Sequence, residues 1–445
     1  MALQVSVSGV RGVVGVDLDA VVVARWAAAF GAWLPAGPVV VGRDTRPSGP
    51  MLAHAVFAAL VSTGHDVHDL GLATTPTTEL AVQEGGAAGG IILTASHNPQ
   101  PWNALKFLDG RGLFLTADAH AQLRERLAAG GGHVPWDRLG RVVPVAGAAA
   151  RHVAAVLDLP WLDRARIAAR GLRVVVDAVE GAGGEIVPEL LRALGVACVP
   201  LHCGLSGRFP HDPEPTPAHL AQLCAAVRAE GADLGCAVDP DVDRLALVDG
   251  DGQPLSEEMT LVLAVDFLLG REPGPVVVNL STTQLIERAA ARHGAAVWRT
   301  PVGEANVVAR MLEAEAVIGG EGNGGVIYPA LHPGRDALVG LAMILQSLAD
   351  TGATLRDLAA GYPPVAMLKE KQELGAPFDA AGWEPALRAL GPGDLDRRDG
   401  LKWTGQTAWV HVRPSNTEPI VRIIAEARDA AAARDLVDEV KRRAR

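Results

Sequence analysis

A recurring alternation of short apolar runs, turns and helix-like segments constrains the fold more than any other feature of this sequence. Such runs occupy residues 38–42, 172–177 and 274–279, and each is followed by a turn and a segment with apolar residues at helical spacing. Short apolar runs are typical of buried strands, and strands that alternate with helices are typical of α/β sheets. The chain is therefore predicted to contain three βα blocks.

The chain has 445 residues, which is more than one hydrophobic core normally organises. A Gly-rich interval at 129–132 and an Ala-rich stretch at 146–150 predict a first boundary near residue 150. Charge increases and the periodic segments shorten after residue 362, which predicts a smaller C-terminal domain. We expect four domains, at residues 1–150, 151–252, 253–362 and 363–445.

Charge and apolar content exclude several classes of partner. The formal net charge of −11 argues against sequence-independent binding to nucleic acid, which requires a basic surface. The longest apolar stretches, such as residues 337–348, are too short to span a bilayer and are typical of a core helix. The four cysteines lack the paired spacing of a metal site, and no segment resembles a signal peptide. We expect a reduced, cytoplasmic protein with no nucleic-acid or membrane partner.

A candidate nucleophile, Ser96, stands just after the apolar run at residues 90–93, and Pro99 prevents the loop from continuing as regular structure. In open α/β sheets, ligands bind at the carboxyl ends of strands, where Ser96 is predicted to lie. His97 follows as a candidate proton carrier. The alternative interpretation of this pair is a surface turn with a solvated serine.

Three carboxylates, Asp239, Asp241 and Asp243, alternate directly after the apolar run at residues 232–238. Three adjacent carboxylates repel one another without a cation, and hard oxygen ligands favour Mg²⁺ over zinc. The loop lacks the length and the terminal glutamate of an EF-hand, which favours a Mg²⁺ that bridges to phosphate. The alternative is a solvated acidic turn.

Other charged residues are predicted to lie near the same sheet edges. Arg11 is flanked by glycines, which suits a loop that approaches an anion closely. Lys106 lies in a segment that returns toward the edge where the candidate nucleophile stands. We expect Arg43, Asp44 and Arg46 to form an ion-paired start to the following helix rather than to act in catalysis.

Glycines surround one acid and one amide, Glu321 and Asn323, between residues 319 and 325. Small neighbours would let both side chains approach a polyhydroxylated ligand, whose vicinal hydroxyls a carboxylate and an amide can both bind. A plain Gly-rich turn is the alternative.

A second cluster of donors lies in a tight turn between two strand-like runs near the C-terminus. A guanidinium combined with hydroxyl and amide groups is the chemistry of a phosphate cradle, and a decorated hairpin is the alternative. The residues are Arg413, Ser415, Asn416 and Thr417.

The chain resembles the α-D-phosphohexomutase superfamily in four ordered motifs. They are TASHNP around Ser96, DPDVDR from Asp239, GGEGNGG around Glu321 and RPSNTEP from Arg413. The similarity extends from the GVRG segment around Arg11 to the C-terminus. It implies an α/β fold with three similar mixed-sheet domains and a smaller α+β C-terminal domain around a central cleft.

The resemblance also implies a mechanism. Ser96 would carry a phosphoryl group, and Asp239, Asp241 and Asp243 would hold Mg²⁺ against it, so that all four serve the metal site. Transfer to a sugar hydroxyl would give a sugar bisphosphate, which turns over and returns its other phosphate to Ser96.

The remaining candidate residues fall into two groups by the roles that the resemblance implies. Charge stabilisation and proton movement would come from Arg11, His97, Lys106 and Arg244. Substrate binding would come from Glu321 and Asn323 at the sugar hydroxyls and from Arg413, Ser415, Asn416 and Thr417 at the phosphate that is not reacting. Small-molecule sugar phosphates are the expected partners, and we expect a monomer or a homodimer.

Four positions depart from the pattern that many relatives share. They are Ala104, Glu304, Asn323 and Gly325, where glycine, aspartate, serine and histidine are common. The GGEGNGG motif is most similar to the archaeal-type phosphoglucosamine mutases and related phosphomannomutase/phosphoglucomutases. We therefore expect a phosphoglucosamine mutase, with phosphomannomutase/phosphoglucomutase as the alternative. A Mg²⁺ phosphatase would not need the RPSNTEP turn, and a catalytically dead sensor would not need Ser96 and all three aspartates.

Overall fold

A computed structural model describes residues 3–6, 9–373, 378–415 and 420–444 of the chain. Four β-sheets of seven, four, five and five strands follow one another along it. The first three sheets mix parallel and antiparallel strands and carry helices, and the fourth is antiparallel throughout. The α/β fold class predicted from the sequence is confirmed.

The first sheet has the strand order β1-β2-β6-β5-β3-β4-β7. Its strands are β1 Gln4–Ser6, β2 Gly9–Val13, β3 Val39–Arg43, β4 Val67–Leu72, β5 Gly89–Leu93, β6 Trp102–Asp109 and β7 Val142–Pro144. Its helices are α1 Ala20–Trp33, α2 Gly49–Ser62, α3 Thr75–Glu84 and α4 Ala117–Ala128, and a 3₁₀ turn spans Trp136–Arg138. The central strand β5 is apolar and buried throughout, as expected for a strand covered on both faces.

The second sheet has the order β11-β10-β8-β9. Its strands are β8 Arg173–Asp177, β9 Ala197–Leu201, β10 Leu234–Val238 and β11 Leu245–Asp249. Its helices are α5 Ala148–Leu157, α6 Arg164–Ala169, α7 Gly183–Ala193 and α8 Ala221–Glu230, with a 3₁₀ turn at Pro217–His219. The strand predicted at 232–238 begins two residues later, at Leu234, and the preceding Asp233 exchanges hydrogen bonds with Arg173 at the start of β8.

The third sheet has the order β13-β12-β14-β15-β16. Its strands are β12 Val276–Asn279, β13 Val297–Thr300, β14 Ile318–Glu321, β15 Gly325–Tyr328 and β16 His332–Arg335. Its helices are α9 Glu257–Leu269, α10 Leu285–Ala291, α11 Glu304–Glu313, α12 Ala337–Thr351 and α13 Leu355–Ala360. One continuous apolar core joins this unit to the second, since helix α12 packs against α6 as well as α9.

The fourth sheet has the order β17-β21-β20-β19-β18. Its strands are β17 Ala366–Glu373, β18 Asp394–Asp396, β19 Leu401–Thr404, β20 Trp409–Pro414 and β21 Ile420–Ala427. Helices α14 Ala380–Arg388 and α15 Ala430–Arg443 cover one face and complete a separate core. Within the described ranges, none of the helices combines the length and apolar character that crossing a bilayer requires.

The first three units place one loop each at an equivalent position. In every case the chain leaves a parallel strand and returns beside it as an antiparallel strand: β5 to β6, β10 to β11, and β14 to β15. These three connections contain Ser96, the aspartates from Asp239 to Asp243, and the glycines after Glu321. Repetition of one topology therefore positions all three motifs at the carboxyl ends of strands.

Candidate active site

Ser96 lies in the connection from β5 to β6 in a strained backbone conformation. Its φ of +49° is unusual for a residue other than glycine, and such strain is concentrated at functional sites. The side chain is buried, and its Oγ donates a hydrogen bond of 2.6 Å to Asp239 Oδ2. His97 Nδ1 lies 3.3 Å from the same Oγ. The solvated-turn interpretation of Ser96 is therefore wrong.

The buried guanidinium of Arg46 organises this loop. Its Nε pairs with Asp44 Oδ2 at 3.1 Å, which confirms the predicted ion pair, and Asp44 also accepts from Thr94 Oγ1 at 2.6 Å. The two terminal nitrogens donate to backbone carbonyl oxygens of the loop at 2.6 to 2.9 Å; these belong to Ser96, Asn98, Pro99 and Trp102. One fully buried arginine thus holds four carbonyl oxygens of the loop in place.

Asp239, Asp241 and Asp243 follow β10 and are fully buried. One ligand oxygen from each lies within 4.8 Å of the others. Backbone amides of Asp243 and Arg244 donate to Asp239 Oδ1 at 3.1 and 3.2 Å, and Val242 between the acids has a φ of +65°. Burial excludes the solvated-turn interpretation, because isolated buried carboxylates are too costly to remain ionised without partners.

Cations from other units face these carboxylates. Lys106 Nζ donates to Asp241 Oδ2 at 2.6 Å, and Arg335 donates to Asp243 Oδ2. Burial alone would lower the pKa of Lys106, but Asp241 and Asp243 raise it above its ordinary value. Burial alone would raise the pKa of Asp241, but Lys106 and hydrogen bonds bring it well below the ordinary value.

The carboxylate set fits a divalent hard cation. Burial and the nearby carboxylates of Asp243 and Asp241 raise the pKa of Asp239 well above its ordinary value, so further positive charge is needed to ionise all three. Asp241 Oδ1 and Asp243 Oδ1 are buried and have no hydrogen-bond partner within the described ranges. Oxygen atoms with unused lone pairs, contributed by three carboxylates, are the ligands that Mg²⁺ prefers.

An electropositive group surrounds the other side of Ser96. Arg11 donates to Asn98 Oδ1 at 3.0 Å, and Arg244 donates to Glu214 Oε1 at 3.1 Å. Burial, together with Arg244 and Arg11, keeps the pKa of His97 well below its ordinary value. His97 is therefore a neutral imidazole at physiological pH.

Glu321 is the last residue of β14, and Arg335 connects it to the aspartates. Arg335 donates to Glu321 Oε2 at 3.0 Å, to Asp243 Oδ2, and to Glu304 Oε2 at 3.1 Å. Glu321 Oε1 accepts from Asn279 Nδ2 at 2.8 Å. The guanidinium thus fixes the third unit against the second at the site.

Asn323 is half-buried within the connection from β14 to β15, and its Oδ1 accepts from the Gly325 amide at 3.2 Å. A Cβ at Gly322 in the same turn would lie 2.0 Å from Glu258 Oε2. Glycine at this position therefore leaves room for the buried Glu258 carboxylate.

Arg413 at the end of β20 is buried, and its Nε donates to Asp399 Oδ2 at 2.9 Å. The same oxygen accepts from the Val302 amide at 2.9 Å, and the adjacent Gly303 amide donates to Glu321 Oε1 at 3.1 Å. A chain of contacts thus joins the C-terminal unit to Glu321. The Ser415 amide donates to the Ile420 carbonyl oxygen, whereas Asn416 and Thr417 lie outside the described residues.

Several residues of the site escaped the sequence analysis. Thr75 donates to Asp241 Oδ2 at 2.6 Å, and Glu214 lies between Arg244 and His97. Arg335 precedes helix α12 and contacts Asp243, Glu304 and Glu321. The available signals were weak: Thr75 precedes a proline at a helix start, and Glu214 stands between two prolines.

Family profiles match almost the whole chain in four consecutive segments. Domains I, II and III of phosphoglucomutase/phosphomannomutase, each described as alpha/beta/alpha, match residues 3–131, 150–252 and 256–365. The C-terminal domain of phosphoglucomutase/phosphomannomutase matches residues 364–443.

Individual relatives are similar over their full lengths. A probable phosphoglucosamine mutase of Methanopyrus kandleri is 35% identical, with 97% of this chain and 95% of the relative covered. A phosphoglucomutase/phosphomannomutase of Thermococcus kodakarensis is also 35% identical, over 97% of this chain and 96% of the relative. The crystal structure of a phosphoglucomutase/phosphomannomutase family protein from Burkholderia thailandensis superposes with a TM-score of 0.85. The two sequences are 30% identical, and the match covers 98% of this chain and 95% of that chain.

Proposed function

The chain belongs to the phosphoglucomutase/phosphomannomutase family of phosphohexomutases, and we propose that it interconverts glucosamine 6-phosphate and glucosamine 1-phosphate. The enzyme is an isomerase that moves a phosphoryl group between two positions of one sugar. In the proposed mechanism, Ser96 carries the phosphoryl group and a bisphosphorylated sugar is the intermediate.

The hydrogen bond of 2.6 Å from Ser96 Oγ to Asp239 Oδ2 carries this proposal. It places a hydroxyl from one unit directly against a triple-carboxylate site from the next, with Lys106 and Arg244 beside it. A hydroxyl in such a position is suited to covalent phosphoryl transfer, where positioning and charge neutralisation supply most of the rate.

The transfer balances without an external acid or base. The bond from phosphorus to Ser96 Oγ breaks, a bond from phosphorus to the sugar hydroxyl oxygen forms, and the hydroxyl proton ends on Ser96 Oγ. His97, whose Nδ1 lies 3.3 Å from that oxygen, can relay the hydroxyl proton to it and is itself unchanged at the end of the step. The bisphosphorylated sugar then turns and returns its other phosphate to Ser96 by the reverse step.

Asp239, Asp241 and Asp243 would hold Mg²⁺ together with a phosphoryl oxygen on Ser96. The bound ion would neutralise charge that develops on the transferring group. Lys106 and Arg244 contribute positive charge from the chain itself, and Arg11 adds a third cation near the loop.

Substrate recognition is proposed at two places. Glu321 and Asn323 would bind sugar hydroxyls, and the second group would hold the phosphate that is not reacting. That second group comprises Arg413, Ser415, Asn416 and Thr417. Arg413 is already oriented by Asp399, so its fork of donors is partly preorganised for an oxyanion.

Glucosamine phosphate is the first choice because the relative from Methanopyrus is named a probable phosphoglucosamine mutase. The equal identity to a phosphoglucomutase/phosphomannomutase favours glucose and mannose phosphates as the second candidates. We also propose a cytoplasmic location, where the four cysteines, all free in the structure, would stay reduced.

The decisive assay compares kcat/KM for glucosamine, glucose and mannose 6-phosphates under identical conditions. Glucosamine 6-phosphate should be preferred by about tenfold or more, which corresponds to one well-made hydrogen bond or ion pair. A higher kcat/KM for mannose or glucose phosphate would replace the first candidate with the second. Turnover of all three by Ser96→Ala at the wild-type rate would instead reject the mutase mechanism.

A further inference from the structure

A second cluster of ligand-type side chains lies in the second unit and shares no residue with the three-aspartate loop. It consists of Asp177 at the end of β8 with His202 and His211 from the segment that follows β9. One ligand atom of each lies within 4.8 Å of the other two. Asp177 is buried and both histidines are half-buried, so the cluster opens toward solvent on one side.

The contacts of His211 leave a place for a cation. Its Nδ1 lies 2.8 Å from the Asp212 carbonyl oxygen, which can only accept, so this nitrogen carries a hydrogen. Its Nε2 faces Asp177 Oδ2 at 2.9 Å, and a carboxylate oxygen also accepts. Two acceptors face one another across this contact unless a proton or a metal ion lies between them. An imidazole that donates Nδ1–H to a carbonyl is oriented as metal-bound histidines are.

The other two side chains are oriented in the same way by outer partners. His202 Nε2 lies 2.6 Å from Gln222 Oε1. Asp177 Oδ1 accepts from the Val179 amide at 3.0 Å, which leaves Oδ2 directed at His211. The backbone around the cluster is strained, since His202 has a φ of +51° and Val179 a φ of +47°. Each of the three ligands therefore has a fixed orientation before any ion binds.

We propose that Asp177, His202 and His211 form a second metal site that takes a divalent transition ion of the zinc class. Two imidazoles and one carboxylate favour zinc over Mg²⁺, which prefers oxygen ligands. The separation of 2.9 Å between His211 Nε2 and Asp177 Oδ2 would have to widen by about 0.4 Å to reach the roughly 3.3 Å between two ligands of a tetrahedral zinc ion. Solvent supplies the fourth ligand.

Nearby sulfur does not take part. Cys203 Sγ is directed at the carbonyl oxygens of Val176 and Leu201, and burial together with Cys198 raises its pKa to about 12. A thiol that stays protonated is a poor zinc ligand. The site is therefore a two-histidine, one-carboxylate site.

The metal would anchor the segment between β9 and α8, which contacts the connection from β5 to β6 that contains Ser96. Gln100 Nε2 donates to the Gly207 carbonyl oxygen, and Glu214 farther along pairs with Arg244. Occupancy would therefore stabilise this segment against β8.

Zinc chloride titrated into the full-length protein by calorimetry, in excess Mg²⁺ to fill the aspartate site, tests the proposal. One zinc ion per chain should bind to wild type, and His202→Gln and His211→Gln should each weaken it by at least about 100-fold. His219→Gln is a matched control, because His219 lies on the same segment beside Asp212 but outside the cluster. It should bind zinc as wild type does.

Gln222→Leu provides a second test if a ligand variant fails to fold. This variant removes only the outer partner of His202 and should weaken zinc binding by about 10-fold to 100-fold. Zinc should also raise the midpoint of thermal unfolding of wild type and of His219→Gln. It should not raise that midpoint for His202→Gln or His211→Gln. Absence of zinc binding to wild type in excess Mg²⁺ would overturn the proposal, as would wild-type affinity in both ligand variants and in Gln222→Leu. Neither result depends on which sugar phosphate the enzyme prefers.

Discussion

Arg46 donates a hydrogen bond of 2.7 Å to the carbonyl oxygen of Ser96 from a position with no solvent exposure. The same guanidinium holds the carbonyls of Asn98 and Pro99, so it acts as a template for the loop. The strained φ of Ser96 persists because the surrounding contacts determine it.

Arg46→Met should therefore disrupt the loop more than the fold around it. Removal of one partner of a buried ion pair leaves Asp44 uncompensated and costs on the order of 3 to 5 kcal/mol of unfolding free energy. We expect that loss in chemical denaturation and a fall in kcat of at least about 100-fold. Arg43→Gln, at the end of strand β3 just before Arg46, is the control and should lose far less unfolding free energy and far less kcat. Equal effects of the two substitutions would show that Arg46 has no special relation to the loop.

Thr75 is predicted to be a positioning residue for Asp241. Its hydroxyl donates to Asp241 Oδ2 and its amide donates to the Asp241 carbonyl oxygen, so helix α3 holds the metal loop from a different unit. Thr75→Val keeps the shape but removes a hydrogen bond to a charged group, worth about 1.5 to 3 kcal/mol. We expect a higher Mg²⁺ concentration for half-maximal rate and a kcat lower by about 10-fold or more.

Thr78→Val is the matched control for that experiment. Thr78 is buried in the same helix, but its hydroxyl donates to the Thr74 carbonyl oxygen and not to the metal loop. Its Mg²⁺ requirement should remain that of wild type. A Mg²⁺ requirement raised equally in both variants would indicate a general effect of helix α3.

The pair formed by Arg413 and Asp399 is predicted to serve both directions of the reaction. If Arg413 binds whichever phosphate is not reacting, Arg413→Ala should lower kcat/KM by about 10-fold to 100-fold for the 1-phosphate and the 6-phosphate alike. Asp399→Asn should lower kcat/KM by a smaller factor, again equally for the 1-phosphate and the 6-phosphate. The reason is that this substitution weakens only the orientation of the guanidinium.

Asp396→Asn is the control for Asp399, since Asp396 pairs with a largely exposed Arg398 in the same domain. Exposed ion pairs contribute little, so its kinetics should be unchanged. A defect of Arg413→Ala confined to one direction would show that this arginine reads one end of the sugar only.

A buried histidine between units should make stability depend on pH. His332 lies 3.3 Å from Asp336 and 3.4 Å from Glu79, and His152 packs against the same Asp336. Burial alone would lower the pKa of His332, but its hydrogen bond to Asp336 and the nearby carboxylate of Glu79 raise it to about 10 from an ordinary 6.5. Burial raises the pKa of Glu79 to about 8.

For both groups the folded pKa is above the unfolded value, so stability is lost as pH rises. The His332 contribution is complete below about pH 6.5 and is lost as pH rises to about 10, and Glu79 adds a loss between about pH 4.5 and pH 8. The unfolding free energy of wild type should fall by a few kcal/mol across this window. His332→Gln should show a smaller slope, and His133→Gln, at an exposed position, should match wild type. A wild-type curve that is flat or rises with pH would contradict this assignment.

The strands that carry the site could be predicted because each is marked by a short apolar run in the local sequence. The apolar run before Ser96 and the one before Asp239 both form buried strands, as predicted, and Ser96 emerges where its strand ends. The start of the helix after Arg46 was also predicted as ion-paired, and the Asp44 pair confirms it. Patterns of this kind need only a few neighbouring residues.

Contacts that assemble the site were not predictable, because they join ordinary residue types across long stretches of chain. Thr75 and Asp241 are 166 residues apart, and Arg335 and Asp243 are 92 apart. No local pattern distinguishes Thr75 from its neighbouring threonines or Arg335 from other arginines. Only the repeated topology of the three units brings these residues together, and periodicity does not contain that information.

Phosphopeptide mass spectrometry of the Ser96 peptide, before and after addition of substrate, tests the central claim most directly. The purified enzyme, charged with a hexose bisphosphate and Mg²⁺, should carry one phosphoryl group on Ser96 and none on Ser415. Excess hexose 6-phosphate should exchange this group with the sugar pool, so that an isotopic label on the enzyme appears in the sugar phosphates at a rate compatible with kcat. Sustained mutase turnover with an unphosphorylated Ser96, or a label that stays on the enzyme during turnover, would contradict the proposed mechanism.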